Sequence, residues 1–269
     1  MHKIPSIMEM LKAGAHFGHR SGRWHPKMAK YIFGVRNGIH VLDLEKTAEE
    51  IQKTLEYVKN LVAKGKNILF IGTKRQAREL VIEAAKSCDM PYINERWIGG
   101  LLTNFEEMKR RLRKYNTLKA EVASGEIEKY TKKEQVDFKK LLAKMDRYLI
   151  GLAKLEKLPD ALYIADLRTG KTAVTEANKT NVPIVAVCDT NVNPEKAQYI
   201  IPANDDAVSA IKMMAELVAT AVNEGKTEYE KEKANAPKET VKKPESAAPV
   251  AKTAPVRKER RALRKDSSL

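Results

Sequence analysis

Residues 67–86 read NILFIGTKRQARELVIEAAK. A continuous apolar run closes on Gly72, and an amphipathic stretch follows almost at once. The run carries no polar alternation, as expected of a strand covered on both faces. A strand that passes directly into a helix is half of a βαβ unit, so this segment predicts a parallel sheet with helical crossovers.

The same alternation continues outward from it. Further strands are expected at 39–42, 91–94, 160–165, 182–187 and 199–201, most of them β-branched runs. Helices are expected at 47–63, 74–86, 171–180 and 205–223, with Gly65 and Gly225 standing where helix stop signals belong. Residues 105–157 break the rhythm. Phe105, Met108, Leu112, Tyr115, Leu118 and Val122 recur at spacings of three and four, and so do Phe138, Leu142, Met145, Leu149 and Leu152. Ser124-Gly125 interrupts the two stripes, and Thr131 with Glu134 forms the T-x-x-E pattern that opens a new helix. Two narrow stripes can bury one another, which predicts an antiparallel coiled-coil hairpin of about 30 Å projecting from the domain. The expected organisation is one α/β domain over 1–225, with the arm at 105–157 inserted in it. A disordered, basic Lys/Pro/Ala-rich tail over 226–269 buries too little apolar surface to offset chain entropy.

Composition narrows the function classes. The net charge of +15 on 269 residues, with a pI near 9.6, favours a polyanionic partner. Residues 105–158 hold 15 Lys and Arg against 9 Asp and Glu, and residues 250–269 hold 7 against 2, so the arm and the tail supply most of the excess. No apolar run is long enough to span a bilayer, and MHKIPSIMEM lacks the features of a secretory signal. Cys88 and Cys188 form no CxxC pattern and read as buried thiols of a reducing cytoplasm.

The run LKAGAHFGHRSGRWHPKMAKYIFGVRNGIHVLDLEKT, residues 11–47, mixes cations, histidines and rings. Arg20, Arg23, Lys27, Lys30 and Arg36 suit phosphates, while Phe17, Trp24, Tyr31 and Phe33 offer flat faces. His16 and Trp24 are expected to pack this segment on the body. This run, together with ILFIGTKRQARELV (68–81), ERWIGGLLTNF (95–105), LPDALYIAD (158–166) and the stretch from VPIVAVCDTNVNP to IIPANDDAVSAI, resembles the bacterial-type small-subunit ribosomal protein S2 family. The resemblance extends over residues 4–225. It implies a Rossmann-like or flavodoxin-like α/β fold and a structural, non-enzymatic role in the small ribosomal subunit of the cytoplasm. It also implies binding to 16S-type rRNA and to neighbouring ribosomal proteins, protein S1 among them.

Other rRNA candidates are local. Lys74, Arg75 and Arg78 sit at an expected helix start, where their charge opposes the helix dipole and so wants another reason. Arg96 stands in a loop beside Gly99-Gly100, with Trp97 expected in the core. Lys109, Arg110, Arg111 and Arg113 line the base of the arm. RKERRALRK in the tail could condense on phosphates. His16, His19, Asp189, Asp205 and Asp206 form a candidate zinc set, with helix capping by Asp205-Asp206 as the plainer reading. ADLRTGKT, residues 165–172, resembles a phosphate-binding P-loop but has Ala165 where that pattern needs Gly. The competing functions are a nucleotide-binding enzyme using Gly170-Lys171-Thr172 and a membrane-surface scaffold using the terminal basic cluster. The expected partners include neither a membrane nor a small-molecule substrate.

Overall fold

A computed structural model describes residues 4–235. Helix α1 (Ile7–Lys12) opens with a Ser6–Glu9 capping box and leads into β1 (Phe17–Arg20). Two 3₁₀ turns, Ser21–Arg23 and Pro26–Tyr31, connect it to β2 (Ile32–Arg36) and β3 (Ile39–Leu42). Then come α2 (Leu44–Ala63), β4 (Ile68–Ile71), α3 (Arg78–Ser87), β5 (Tyr92–Ile93), α4 (Phe105–Ser124) and α5 (Lys132–Leu149). The chain continues with β6 (Ala161–Ile164), α6 (Lys171–Thr180), β7 (Ile184–Cys188), β8 (Tyr199–Pro202) and α7 (Val208–Asn235).

Five strands form a wholly parallel sheet in the order β5-β4-β6-β7-β8. The second strand lies outside the first and the rest follow in sequence, which is the flavodoxin-like arrangement. Every residue of β4, β6 and β7 is buried. Their side chains alternate between two cores. Ile68, Phe70, Tyr163, Val185 and Val187 face α2, α3 and α7, whereas Leu69, Ile71, Leu162, Ile164 and Ala186 pack with α6, the arm's root and the N-terminal segment. Each large aliphatic side chain among them contributes about 1.5–3 kcal/mol by leaving water.

The expected strand at 39–42 forms, but outside this sheet. It is the centre of a separate antiparallel sheet, β1-β3-β2. Its burial alternates, with His40 and Leu42 in and Ile39 and Val41 half out, so only one face is fully covered. Burial on one face is the mark of an antiparallel sheet with a partly solvated side.

Several helix boundaries differ from expectation: α2 begins at Leu44 instead of residue 47, and α7 at Val208 instead of residue 205. Helix α3 begins at Arg78, not at residue 74, because residues 74–77 close a turn in which Ala77 and Arg78 donate to the Lys74 carbonyl. Helix α7 does not stop at Gly225 but continues to Asn235, so the first ten residues assigned to the tail are helical. Gly225 is instead a packing residue: a Cβ there would come within 2.6 Å of the Lys59 carbonyl on α2. Gly65 does end α2, with φ +73 and its N–H donating to the Val62 carbonyl. The remainder of the expected disordered tail, residues 236–269, lies outside the described residues.

Two helices, α4 and α5, occupy the segment of the expected arm, with Gly125 at φ +80 ending α4 and the Thr131–Glu134 capping box starting α5. Its burial is graded. Met108, Leu112, Tyr115 and Leu149 join the core beneath the sheet, while Val136 and Leu141 remain exposed. The stripes therefore pack on the body only at the root. There Gly151 lies so close to β5 that a Cβ would sit 2.2 Å from the Tyr92 carbonyl.

Candidate nucleic-acid interface

The N-terminal sheet is fastened to the carboxyl edge of the parallel sheet by polar groups. Thr190 Oγ1 accepts from the His19 N–H at 2.9 Å, and its carbonyl accepts from the His25 N–H at 2.7 Å. Asn204 Nδ2 donates to the Gly14 carbonyl at 3.0 Å. Neither Thr190 nor Asn204 stands out in the sequence; the CDTN and PANDD segments carrying them do. The segment also presents Arg20, Arg23 and Arg36, all exposed and in no ion pair among the described residues. Lys27 pairs with Glu195, and Lys30 lies 4.7 Å over the ring of Tyr31. Phe33 is 80% exposed, and Phe17 and Trp24 are also exposed, whereas Tyr31 is buried. Trp24 therefore packs only partly, with its ring 5.3 Å from that of His40.

Lys74 lies elsewhere than its sequence context suggests. Its ammonium sits 2.7 Å from Asp205 and 2.8 Å from Asp206, half buried at the carboxyl end of β4. Burial acts to lower its pKa, but the bonds to the two carboxylates outweigh it and raise the value. Burial, with Asp166 and Asp189 nearby, raises the Asp205 carboxyl, whereas the Lys74 bond lowers that of Asp206. His19 completes the network, 3.0 Å from Asp189 through Nδ1 and 2.9 Å from the Asn191 amide through Nε2. The bond to Asp189 raises its pKa against the effect of burial.

This network contains four of the five residues in the candidate zinc set. Ligand atoms of His19, Asp205 and Asp206 lie within 4.8 Å of one another. His16 does not join them: its ring packs 4.0 Å from that of Phe17, and its Nδ1 is buried without a hydrogen-bond partner. Lys74 balances the carboxylates and both His19 ring nitrogens are engaged, so these residues form an ion-pair network. The capping reading of Asp205-Asp206 also changes. Asn204 Oδ1 accepts from the N–H groups of Asp206 and Ala207 ahead of α7, which leaves the two aspartates to Lys74.

Loop 95–104 is organised by a residue that sequence reasoning missed. Glu176 on α6 is buried, and its carboxylate accepts from Trp97 Nε1 at 3.0 Å, Gly100 N–H at 2.9 Å and Leu102 N–H at 3.2 Å. Burial works to raise its pKa, but these bonds prevail and lower it. Trp97 is in the core as expected, and Arg96 is exposed beside it. Glu95 ties α3 to the arm, 3.1 Å from Arg78 and 3.5 Å from Arg147. Arg75 stays exposed without an ion pair among the described residues. On α4, Arg110 and Arg111 share Glu107, while Lys109 and Arg113 border a cavity of about 420 Å³ at the arm's root. The terminal basic cluster lies outside the described residues.

The loop at 165–172 is not built to wrap a phosphate. The N–H groups of Arg168 and Thr169 donate to Asp166 Oδ1 at 2.7 and 3.4 Å, so the amides a P-loop aims at its ligand are already engaged. Gly170 serves packing, since a Cβ there would come within 2.8 Å of Ile164. Both cysteines are buried free thiols, and burial pushes Cys88 up to about 11 and Cys188 higher still. No described helix is long and apolar enough to cross a membrane.

The family model for ribosomal protein S2 matches residues 10–225, from α1 through both sheets and the arm into α7, and the chain belongs to that family. Its members are structural proteins of the small ribosomal subunit and act in translation as parts of a ribonucleoprotein; it is not a family of enzymes.

Proposed function

We propose, on the premise that this is a ribosomal protein S2 chain, that it holds small-subunit rRNA through its N-terminal sheet, the 95–96 loop and the root of the arm. The observation that supports this most is the set of exposed guanidinium groups at Arg20, Arg23, Arg36, Arg75, Arg96 and Arg113, none in an ion pair among the described residues, carried on elements packed against the two cores of the parallel sheet. Cations of this kind bind phosphates by releasing counterions, and the rigid scaffold sets the spacing between the RNA helices they meet. Recognition then follows RNA shape more than base sequence. Lys27, Lys30, Lys109, Arg110 and Arg111 contribute at the margins, while Lys74 and Arg78 act through folding. The same reading places the chain in the cytoplasm, beside neighbouring ribosomal proteins that include S1 where a cell has it.

Reversing Arg20, Arg23 and Arg36 to glutamate should leave the melting temperature unchanged and weaken incorporation into small-subunit particles. Full incorporation of a folded triple variant would sink the N-terminal sheet as an rRNA contact. Zinc enters only as a test of the His19 network: saturable binding of one ion per chain, abolished in His19→Ala, would require Lys74 to leave its carboxylates.

A further inference from the structure

A second group of cations lies around α6, on the same side of the sheet as the N-terminal segment, and none of them is among the residues discussed above as an rRNA contact. A cleft of about 620 Å³ opens between α6 and the turn after β7. Arg168 and Lys171 border it from the loop and first turn of α6, Lys179 from the far end of that helix, Lys196 from a 3₁₀ turn at Pro194–Lys196, and His25 from the N-terminal segment. Among the described residues, no Asp or Glu lines it. None of Arg168, Lys171, Lys179 and Lys196 makes an ion pair among the described residues, in contrast to Lys27, Lys74 and Arg78. The walls are held in place: Asn178 Nδ2 on α6 donates to the Lys196 carbonyl at 3.2 Å. Arg168 also feels the Asp206 carboxylate, while Lys171, Lys179 and Lys196 have no ion-pair partner among the described residues, an arrangement that a polyanion relieves.

We propose that this cleft carries successive phosphates of an rRNA strand. The inference rests on the rRNA-binding reading above and adds a separate set of cations to it. Two features favour a strand over a compact phosphate ligand. Lys171 and Lys179 stand eight residues apart on one helix, about 12 Å along its axis, so they meet different phosphates. The Arg168 and Thr169 amides are already held by Asp166, so contact at this loop is made by side chains reaching outward. Gly170 gives α6 no side-chain cap, and the positive end of that helix dipole adds to the field at the Arg168–Lys171 end.

The test measures binding of the full chain to transcribed small-subunit rRNA across a salt series, for the wild type, for R20E/R23E/R36E and for K171Q/K179Q/K196Q. Each lysine that neutralises a phosphate adds about 0.7–0.9 to the steepness of log affinity against log salt, so the lysine variant should be shallower by about 2 to 3. A wild-type chain that binds rRNA with the lysine variant's slope unchanged overturns the cleft and leaves the general reading standing. A wild-type chain without salt-dependent rRNA binding overturns both. Saturable binding of tripolyphosphate in the cleft, with the rRNA slope unaltered by the substitutions, makes it a small-anion pocket and overturns the strand. Should the triple variant fail to fold, acetylation of the wild-type chain decides: rRNA should protect Lys171, Lys179 and Lys196, and equal labelling with and without rRNA rejects the proposal.

Discussion

Two cationic groups flank one parallel sheet and behave as opposites. At the end of β4, Lys74 is drawn inward onto Asp205 and Asp206, with His19 and Asp189 completing the network. Around α6, Arg168, Lys171, Lys179 and Lys196 surround an open cleft with no carboxylate in its wall among the described residues. The residue types are similar; the environments are not. A lysine beside buried acids is part of the fold's own charge balance, and only a cation left without such a partner is available to another molecule.

The sharpest way to break that contrast is Lys74→Met. It leaves Asp205, nearly fully buried, without its counter-charge, and should cost about 3 kcal/mol or more in a urea titration. A cost below about 1 kcal/mol would mean that the network is not needed for folding. Glu176→Ala probes a third arrangement, a buried carboxylate satisfied by neutral donors. It strands Trp97 Nε1–H and the N–H groups of Gly100 and Leu102, and should cost about 2–4 kcal/mol in the same measurement.

The pH response of Glu176 gives a smaller effect. Its folded pKa is lowered from 4.5, so the unfolded chain takes up the proton first. The stability it contributes is fully present above about 4.5 and disappears as pH falls through the depressed value. Comparing the wild type with Glu176→Gln, the difference in stability should shrink steadily on acidification below that point. The smallest effect belongs to the open cleft. Lys171→Met and Lys179→Met should change stability by no more than about 0.5 kcal/mol, as expected of exposed side chains away from packing and caps. A larger destabilisation in either would show that the cleft's lysines also serve the fold.

Much of the architecture was legible because it depends on local pattern. Apolar runs marked all five strands of the parallel sheet, α6 begins and ends where its sequence predicts, and the Thr131–Glu134 box opens α5. The same local logic misread Gly225, since a glycine that ends a helix and one that lets two helices touch look alike in sequence. It placed the 39–42 strand without revealing its separate sheet, because pairing partners are chosen by register and burial over distance. The candidate site was less legible. The exposed arginines of the N-terminal sheet could be picked out, but Lys74 could not be told from them. Glu176 gave no signal, as its donors lie more than seventy residues away in the chain.

By itself the sequence determined the α/β class, the inserted helical pair, the basic balance of the chain and the family, because periodicity, capping and ordered motifs are written in neighbouring residues. Only the tertiary structure decided which cations are free. A charge at the carboxyl edge is neutral in effect or available to a polyanion according to whether the fold brings a buried carboxylate within about 3 Å of it, and that distance is set by strands and helices remote in sequence.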